Sequence, residues 1–431
     1  MRNLRALRRN TWLPTSELER MQLKALRKIL KYAYENVAFY HHRFDAAKIK
    51  PEDIQSIEDM QRLPILTKKD VQRNFDSLVS RNVRMEMCTK ETTSGTTGTP
   101  LNIISEKTAS SIMSANKLRH QVENGSRLLR DKYVLLLPVK GLARAYARRT
   151  YLGGFLTRLG LLRRRLMDAQ EPIEDVMEKL LHFGPDVIDS MPSFFLLLMK
   201  EMEKGGQDIR PRRIFACGEL LDARSRAFIN SAFKVDVIDV YGCTEAGNIA
   251  WECSERIGYH TNIDLIVPEF VKDDAHVAVG EAGKIVLTPL WNFAMPLIRY
   301  DIGDVGRQSS ERCPCGRGLP LMEVVEGRYE DFIVLPSGRM ISPYVTSRYF
   351  ENVEGIDEYK IIQQARNKIY IQLVLREKHN KDIFLRLENT FRKELGEDLT
   401  ISIEAVDSLL KNGKRRNVIS KCLTREQFFS Y

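Results

Sequence analysis

Short apolar segments alternate with helical patterns in the middle of this 431-residue chain. The predicted strands are Tyr133 to Leu137, Val187-Ile188, Arg213 to Ala216 and Val235 to Val240. Because helical patterns separate these strands, we expect them to lie parallel, with helices on the faces of the sheet. The alternation therefore predicts an α/β fold with a mostly parallel sheet.

A second, smaller domain is predicted after this region. A chain of 431 residues exceeds the size at which one hydrophobic core keeps growing, so two domains are expected. From Phe332 onward the pattern becomes that of a compact α+β unit. Alternating apolar residues from Ile369 to Leu375 predict a half-buried strand, and a stripe from Ile383 to Leu395 predicts one helix face.

The N-terminal part is predicted to be helical. An apolar stripe from Leu18 to Tyr40 indicates an opening helix over residues 17–45. Ser56 and Thr67 each precede an acidic residue by three positions, which is the spacing of a capping box. We expect two short helices to start at these hydroxyl residues.

The stretch from Thr92 to Pro100 reads T-T-S-G-T-T-G-T-P. Its short side chains leave the backbone amides open, and its glycines permit positive φ, so N–H groups and hydroxyls can converge on a triphosphate. It is not a Walker loop, because no lysine follows Gly98 and the apolar residues from Leu101 to Ile104 predict a strand. We interpret it as a phosphate-binding loop in a hairpin. The predicted binding residues are Thr93, Ser94, Gly95, Thr96, Thr97 and Gly98.

These nine residues resemble the phosphate loop of adenylate-forming enzymes, the superfamily of acyl- and aryl-CoA synthetases, luciferases and peptide-synthetase adenylation domains. Within it the chain is most similar to the phenylacetate-CoA ligase and CapK-type branch, from about Leu18 to Lys421. The family often has lysine where this chain has Thr99, which removes one phosphate contact. The resemblance implies a large, multi-layered N-terminal domain of adenylate-forming type and a small α+β C-terminal lid domain.

Two strand ends match the nucleotide-binding motifs of these enzymes. The first strand ends in Gly218-Glu219, and ligands of open α/β sheets collect at the carboxyl ends of strands. By resemblance this strand end flanks adenine. The next strand ends in Tyr241-Gly242 followed by Cys-Thr-Glu, and in the family this tyrosine stacks on adenine.

Three further residues are assigned polar roles by the same resemblance. Thr244 and Glu245 are expected to reach the phosphate and Mg²⁺, a hard cation that prefers carboxylate and phosphate oxygens. Asp304, the last residue of Pro-Leu-Ile-Arg-Tyr-Asp-Ile-Gly-Asp, matches the ribose ligand of the family. A carboxylate suits that role because it can accept from both ribose hydroxyls.

The segment Gly-Arg-Tyr-Glu-Asp ending at Asp331 resembles the hinge between the two domains. Arg328 is expected near the nucleotide, and the pivot is Glu330 or Asp331. The predicted domains are therefore residues 1–328 and a mobile unit of residues 329–431.

A basic loop in the small domain resembles the loop that carries the catalytic lysine of the family. Lys414 is the best match, since it follows a glycine. The usual Pro-Arg-Thr upstream is missing, and Lys411, Arg415 and Arg416 flank the position. A plain basic turn is the alternative.

A metal site is predicted from Cys253-x6-His260 and Cys313-Pro-Cys315. Three thiolates and one imidazole can fill the tetrahedral shell of Zn²⁺, and such a closed site is structural. It would join the segments after Glu245 and after Asp304. The alternative is a set of free thiols.

Seven cysteines are too few and too irregular for a disulfide framework. With no apolar run of 18 residues and no apolar segment after the N-terminal arginines, we expect a cytoplasmic protein without a membrane span. The net charge is +10, and the segment from Lys132 to Met167 has nine basic residues and no acid. A solvated face is the first interpretation of this segment, an acidic ligand or membrane surface the second, and non-specific nucleic-acid contact the third. Oligomer formation stays open.

The function implied by the resemblance is ATP-dependent activation of a carboxylic acid as an acyl-adenylate, followed by transfer of the acyl group to coenzyme A. Two alternatives stay open, namely transfer to an amine or sugar in capsule or secondary-metabolite synthesis, and a non-catalytic nucleotide-binding relative. The expected cofactors are ATP, Mg²⁺, structural Zn²⁺ and coenzyme A. The sequence does not specify the acid.

Overall fold

A computed structural model describes most of the chain, and its described residues form two compact units. The large unit comprises the described residues within 2–91 and 102–326, and the small unit comprises Thr92, Leu101 and the described residues from 333 onward. The described residues are 2–92, 101–137, 163–221, 223–326, 333–341, 345–346, 349–350, 353, 355–376, 381–407, 409 and 418–422.

Helices form the first part of the large unit. They are α1 (Arg2–Thr11), α2 (Thr15–Asn36), α3 (Ala38–Ala46), α4 (Lys68–Arg73) and α5 (Phe75–Leu78). Single 3₁₀ turns cover Pro51–Asp53, Glu58–Arg62 and Met85–Met87.

The expected opening helix is divided into α2 and α3 at Val37, whose backbone is extended with φ −124° and ψ 110°. Thr67 forms the predicted capping box: its hydroxyl accepts from the Asp70 N–H at 3.2 Å, and the Asp70 carboxylate accepts from the Thr67 N–H at 2.9 Å. Ser56 precedes a 3₁₀ turn, where its N–H donates to Asp59 at 2.8 Å. The sequence did not predict α1.

Strands β1 (Cys88–Thr92) and β2 (Asn102–Glu106) form a two-stranded sheet on either side of the predicted phosphate loop. They supply the two arms of the expected hairpin, whereas residues 93–100 lie outside the described residues. A 3₁₀ turn at residues 85–87 directly precedes the first arm. Helix α6 (Lys107–Glu123) follows β2 directly.

Within the described residues, twelve strands form the main sheet in the order β11-β10-β12-β13-β14-β9-β8-β7-β6-β5-β3-β4. Strands β3 to β7 pair in parallel. The sheet from β7 through β8 to β11 is antiparallel. The prediction of a mostly parallel sheet is thus correct for one end of the sheet and wrong for the other. The strands are β3 (Tyr133–Leu137), β4 (Arg164–Asp168), β5 (Val187–Ser190), β6 (Arg213–Cys217), β7 (Val237–Cys243), β8 (Gly247–Glu252), β9 (Tyr259–Thr261), β10 (Ile266–Lys272), β11 (Ala275–His276), β12 (Gly283–Pro289), β13 (Tyr300–Gln308) and β14 (Leu321–Glu326).

Three helices connect the parallel strands, as the alternating pattern predicted. They are α7 (Ile173–Phe183), α8 (Pro192–Gly205) and α9 (Ala223–Phe233). No helix among the described residues has the length and apolar character that crossing a membrane requires.

The basic segment contributes its described ends to β3 and β4. Arg164 stacks on the Tyr133 ring and donates to Gln121, and Arg165 lies over the Phe183 ring. These two arginines therefore pack within the large unit. The expected contact of the segment with an acidic ligand or membrane stays a prediction.

The small unit is an α+β structure, as predicted. Its four-stranded sheet has the order β19-β18-β17-β20, and Ile369, Ile371 and Leu373 are buried on β18. The predicted helix face is also buried. The elements are β15 (Ile333–Val334), β16 (Met340–Ile341), β17 (Ile356–Ala365), β18 (Lys368–Leu375), α10 (Lys381–Leu395), β19 (Thr400–Ala405) and β20 (Val418–Ser420).

Candidate functional site

The first predicted strand end lies beside the start of a helix. β6 ends at Cys217, and Gly218 continues with φ +82°, a conformation that favours glycine. The Glu219 carboxylate accepts hydrogen bonds from the Ser193 backbone N–H at 2.9 Å and the Ser193 hydroxyl at 2.8 Å. Glu219 thus binds the first turn of α8, where a negative charge is stabilised by the helix dipole.

The second strand end is a tight hairpin between β7 and β8. Gly242 pairs with Asn248, and Cys243 pairs with Gly247. A Cβ atom on Gly242 would lie 2.4 Å from the Gly247 carbonyl oxygen, so only glycine fits at this position. The hairpin therefore holds Thr244 and Glu245 in its turn, three and four residues after Tyr241.

Strand β13 brings two more polar residues to this hairpin. The Tyr241 hydroxyl donates to Asp304 Oδ2 at 2.8 Å, and the Tyr300 hydroxyl donates to Glu245 Oε1 at 3.0 Å. Between Tyr300 and Asp304 the strand is irregular: the four-residue step from Asp301 to Val305 lies opposite only a two-residue step of β12, and Gly303 has φ +83°. The two motifs, separated by about 60 residues in the sequence, meet through these contacts.

Tyr300 is a site residue that the sequence analysis missed. It lies inside the motif that ends in Asp304, but the motif assigns it no role. Its side chain is buried, whereas Tyr241, Glu245 and Asp304 are half-buried. Tyr300 therefore orients one oxygen of the Glu245 carboxylate from within the protein.

The charge at this site is negative. Burial raises the pKa of the Cys243 thiol well above its ordinary value, and the carboxylates of Glu245 and Asp304 raise it further. The thiol is thus neutral at pH 7. Two half-buried carboxylates near a neutral thiol suit a hard cation and polar hydroxyl groups.

Several predicted residues lie outside the described residues: the phosphate loop, Arg328, Lys414 and the hinge candidates Glu330 and Asp331. Their roles stay predictions, as does the domain boundary at residue 328. The structure brings together Tyr241, Gly242, Thr244, Glu245 and Asp304.

The predicted metal ligands form a second cluster. Cys253 follows β8, His260 lies in β9, and Cys313 and Cys315 lie in the loop between β13 and β14. Their four ligand atoms lie within 4.8 Å of one another. Two of the spacings are 3.6 Å between the sulfurs of Cys253 and Cys313 and 3.3 Å from Cys315 Sγ to His260 Nε2.

These spacings fit tetrahedral zinc. Bond lengths of about 2.3 Å to sulfur and about 2.0 Å to nitrogen place two sulfurs about 3.8 Å apart and sulfur and nitrogen about 3.5 Å apart. His260 Nδ1 lies 3.1 Å from the Leu319 carbonyl oxygen and donates to it, which directs Nε2 to the thiols. Burial lowers the pKa of His260 to about 4, so the imidazole is neutral, as a metal ligand must be.

The cysteine loop is attached to the N-terminal helices. The Arg317 guanidinium lies over the rings of Trp12 and Trp251. The Gly318 N–H donates to the Thr11 carbonyl at 3.0 Å, and the Thr15 hydroxyl donates to the Gly318 carbonyl at 2.8 Å. The cluster thus lies where β8, β9, the cysteine loop and the turn between α1 and α2 meet.

Comparisons with known proteins agree with this arrangement. Residues 333–421 match the family model described as the CapK C-terminal domain. The phenylacetate-coenzyme A ligase of Thermus thermophilus is 25% identical over 92% of this chain and 87% of its own. These matches support the resemblance of the chain to the phenylacetate-CoA ligase and CapK-type branch of the adenylate-forming enzymes.

Two other relatives and one solved structure extend this result. The phenylacetate-coenzyme A ligase of Escherichia coli is 29% identical over 74% of this chain and 73% of its own. Protein CapK of Staphylococcus aureus is 20% identical over 94% of this chain and 90% of its own. A crystal structure of 2-hydroxyisobutyryl-CoA ligase with 2-HIB-AMP and CoA covers 96% of this chain and 91% of its own, with a TM-score of 0.65 and 20% identity. That likeness confirms an adenylate-forming fold.

Proposed function

We propose that this protein activates a carboxylic acid with ATP and transfers the acyl group to coenzyme A. In the first step a carboxylate oxygen attacks the α-phosphorus of ATP, and the bond to the bridging oxygen of pyrophosphate breaks. In the second step the coenzyme A sulfur attacks the acyl carbon, the thiol loses its proton and AMP leaves. The observation that carries the proposal is the meeting of Tyr241 with Asp304 and of Glu245 with Tyr300 at the end of β7.

The described residues fit the nucleotide at this position. The Tyr241 ring offers a face for adenine, and the Asp304 carboxylate accepts from ribose hydroxyls. Tyr300 holds the Glu245 carboxylate where it can bind Mg²⁺, and Thr244 offers a hydroxyl to a phosphate. Mg²⁺, when bound, neutralises phosphate charge, which is the main source of rate in such transfers.

A second part of the proposal concerns residues outside the described region. We propose that the loop of Thr93 to Gly98 binds the phosphates and that Arg328 lies near the nucleotide. Lys414 would stabilise the negative charge of the transition state. The support is the resemblance of these segments to the motifs of the family. A hinge at Glu330 or Asp331 would let the small unit change its orientation between the two half-reactions.

The cysteine cluster is proposed to bind one structural zinc ion through Cys253, His260, Cys313 and Cys315. The ligand spacings and the hydrogen bond from His260 to Leu319 support this assignment. Four protein ligands fill the shell, so the ion would not contact substrate.

The function is tested by exchange of labelled pyrophosphate into ATP over a panel of carboxylic acids. We expect exchange that depends on one class of acid, and AMP release that rises when coenzyme A is added. AMP release that rises with an amine and not with coenzyme A would identify an amine as the acyl acceptor. Absence of exchange with every acid would contradict the proposed activation.

A further inference from the structure

Arg299 has a backbone conformation that is unusual for a buried residue. Its φ is +53°, in the left-handed region that residues other than glycine rarely adopt. In the described part of the chain six non-glycine residues have positive φ, and Arg299, which is 1% exposed, is the only buried one. A strained residue persists only where its surroundings impose the conformation, and such residues cluster at functional sites. The five exposed residues are Lys48, Lys234, Arg256, Asp273 and Asp274.

Side-chain contacts hold Arg299 in this conformation. Its guanidinium donates from Nε to Glu269 Oε1 at 2.9 Å. From Nη1 it donates to the backbone carbonyl of Gln61 at 3.3 Å and to that of Leu63. Glu269 is buried as well, so the two side chains form a buried ion pair. Arg299 is therefore fixed both to β10, which carries Glu269, and to the segment of residues 61–63.

Backbone contacts hold the peptide groups on both sides of Arg299. The Arg299 N–H donates to the Thr288 hydroxyl at 2.9 Å, and the Arg299 carbonyl accepts from the Leu66 N–H at 2.8 Å. The Leu66 carbonyl in turn accepts from the Asp301 N–H at 2.9 Å. Tyr300 thus lies between two residues that are both bound to Leu66.

The turn at Arg299 sets the direction in which β13 begins. Tyr300 is the first residue of this strand, and its hydroxyl donates to Glu245 Oε1 at 3.0 Å. Strand residues have negative φ, so a left-handed residue directly before the strand changes the direction of the chain. At negative φ the chain would enter β13 from a different direction, and the Tyr300 side chain would no longer be directed at Glu245.

We propose that Arg299 is a positioning residue of the nucleotide site and that its ion pair with Glu269 keeps the Tyr300 hydroxyl on the Glu245 carboxylate. Because Arg299 is buried, it acts through Tyr300 and not by contact with ATP or Mg²⁺. This inference rests on the proposed function, since that function assigns Mg²⁺ and ATP to Glu245. An ion pair that only stabilised the fold would have no effect on the affinity for the nucleotide.

The test replaces both charges at once, with Arg299→Met and Glu269→Met in one protein. Removing a buried ion pair as a whole leaves no unpaired charge, so the melting temperature should stay close to that of the unchanged protein. The Kd for the Mg²⁺ complex of ATP, measured by calorimetry, should rise about tenfold, as in Tyr300→Phe, because both changes remove the hydrogen bond to Glu245. Adding Tyr300→Phe to the double variant should weaken binding no further, since changes that act through one contact are not additive.

The buried ion pair of Arg119 with Asp264 is the matched control. Both of its side chains are 0% exposed, and it joins α6 to the residues before β10. Arg119→Met with Asp264→Leu should leave the Kd for the Mg²⁺ complex of ATP unchanged, even if the melting temperature falls. An equal loss of affinity in this control would overturn the positioning role.

Arg299→Lys is the second variant if the double variant does not fold. It keeps the positive charge but not the planar set of donors, so the Kd should rise by a smaller factor, and an unchanged Kd overturns the positioning role.

The binding measurement separates this inference from the proposed function. Unchanged affinity in the folded double variant, or a further loss on adding Tyr300→Phe, overturns the positioning role and leaves acid activation in place. If the expected loss is found but no acid supports pyrophosphate exchange, the positioning role stands and the proposed activation fails. An unchanged protein that does not bind the Mg²⁺ complex of ATP contradicts both.

Discussion

The nucleotide contacts and the cysteine cluster connect the same two parts of the chain in different ways. Both link the region of β7 to β9 with the region of β13 and β14. The first does so through hydrogen bonds from tyrosine hydroxyls to half-buried carboxylates, Tyr241 to Asp304 and Tyr300 to Glu245. The second brings four ligand atoms within 4.8 Å and fixes the histidine with a backbone carbonyl.

This difference suggests that the nucleotide contacts serve the chemistry and that the cysteine cluster serves the stability of the same region. A carboxylate has lone pairs for several donors, so Glu245 and Asp304 can accept from ribose or bind a cation in addition to the tyrosine hydroxyls. A closed Cys₃His set can contribute to folding but has no position for substrate. Substitutions in the first region should therefore change rates, and those in the second should change unfolding.

The largest effect is expected from Lys414→Ala, which tests whether charge from the small unit completes the nucleotide site. Loss of a charge that acts only in the transition state should lower acyl-adenylate formation about a thousandfold or more, whereas thioester formation from a presynthesised acyl-adenylate should survive. Single-turnover assays of each step provide the measurement.

The neighbours Lys411 and Arg415 are the controls for this prediction, and alanine at either should have a mild effect. A severe defect in Lys411→Ala would move the catalytic assignment three residues upstream. If none of the three variants matters, the basic loop is not catalytic, and a nucleotide-binding relative without activity becomes the better hypothesis.

Glu245→Gln should lower pyrophosphate exchange by about 10² to 10³, because it removes a metal-facing charge and little volume. Its melting temperature should match the unchanged protein. Glu255→Gln, an exposed acid on the following turn, is the matched control. Unaltered exchange in Glu245→Gln would show that Mg²⁺ is held elsewhere.

In contrast to Glu245→Gln, Cys313→Ser should lower the stability of the protein more than its activity. We expect about one zinc per chain in the unchanged protein by elemental analysis, and loss of a ligand should lower the free energy of unfolding by at least about 2 kcal/mol. Activity per folded molecule should remain close to normal. Cys422→Ser, outside the cluster, should have little effect, and active protein without metal would contradict the zinc assignment.

Tyr300→Phe should have the smallest effect of this series. Removing one hydrogen bond to a charged group costs about 1.5 kcal/mol, which corresponds to about a tenfold higher KM for the Mg²⁺ complex of ATP. The effect should diminish as free Mg²⁺ is raised. A change in the KM for the acid alone would indicate that Tyr300 acts on a different ligand.

The sequence predicted the residues whose roles follow from fixed spacing. Gly242 and Glu245 belong to one hairpin motif, so their positions follow from their neighbours. The four candidate metal ligands were predicted as a set because three thiolates and one imidazole are the ligand types of a structural Zn²⁺ site. Tyr300 was missed because its hydrogen bond depends on how β13 lies relative to the hairpin, which no local pattern specifies.

The errors in the fold have similar causes. The apolar stripe continues across Val37, since Ala33 and Tyr40 are both buried, so periodicity alone does not show the extended residue that ends α2. Helix α1 has only two buried apolar side chains, Leu4 and Leu7, among four arginines. Long-range contacts such as Asn10 with Asp264 hold it, at 3.0 Å.

The attachment of Gly318 to the turn between α1 and α2 sets an order of events during synthesis. A Cβ atom on Gly318 would lie 1.6 Å from the Leu13 carbonyl oxygen, so the two backbones are in direct contact. Thr15 and Gly318 are 303 residues apart, and at 5–20 residues per second the ribosome needs about 15 to 60 seconds to supply the second partner. Until then Leu18 of α2 lacks Leu319, with which it shares a buried apolar cluster. The N-terminal helices are thus among the first parts of the protein to be made and among the last to reach their native contacts, an interval in which chaperones would find them.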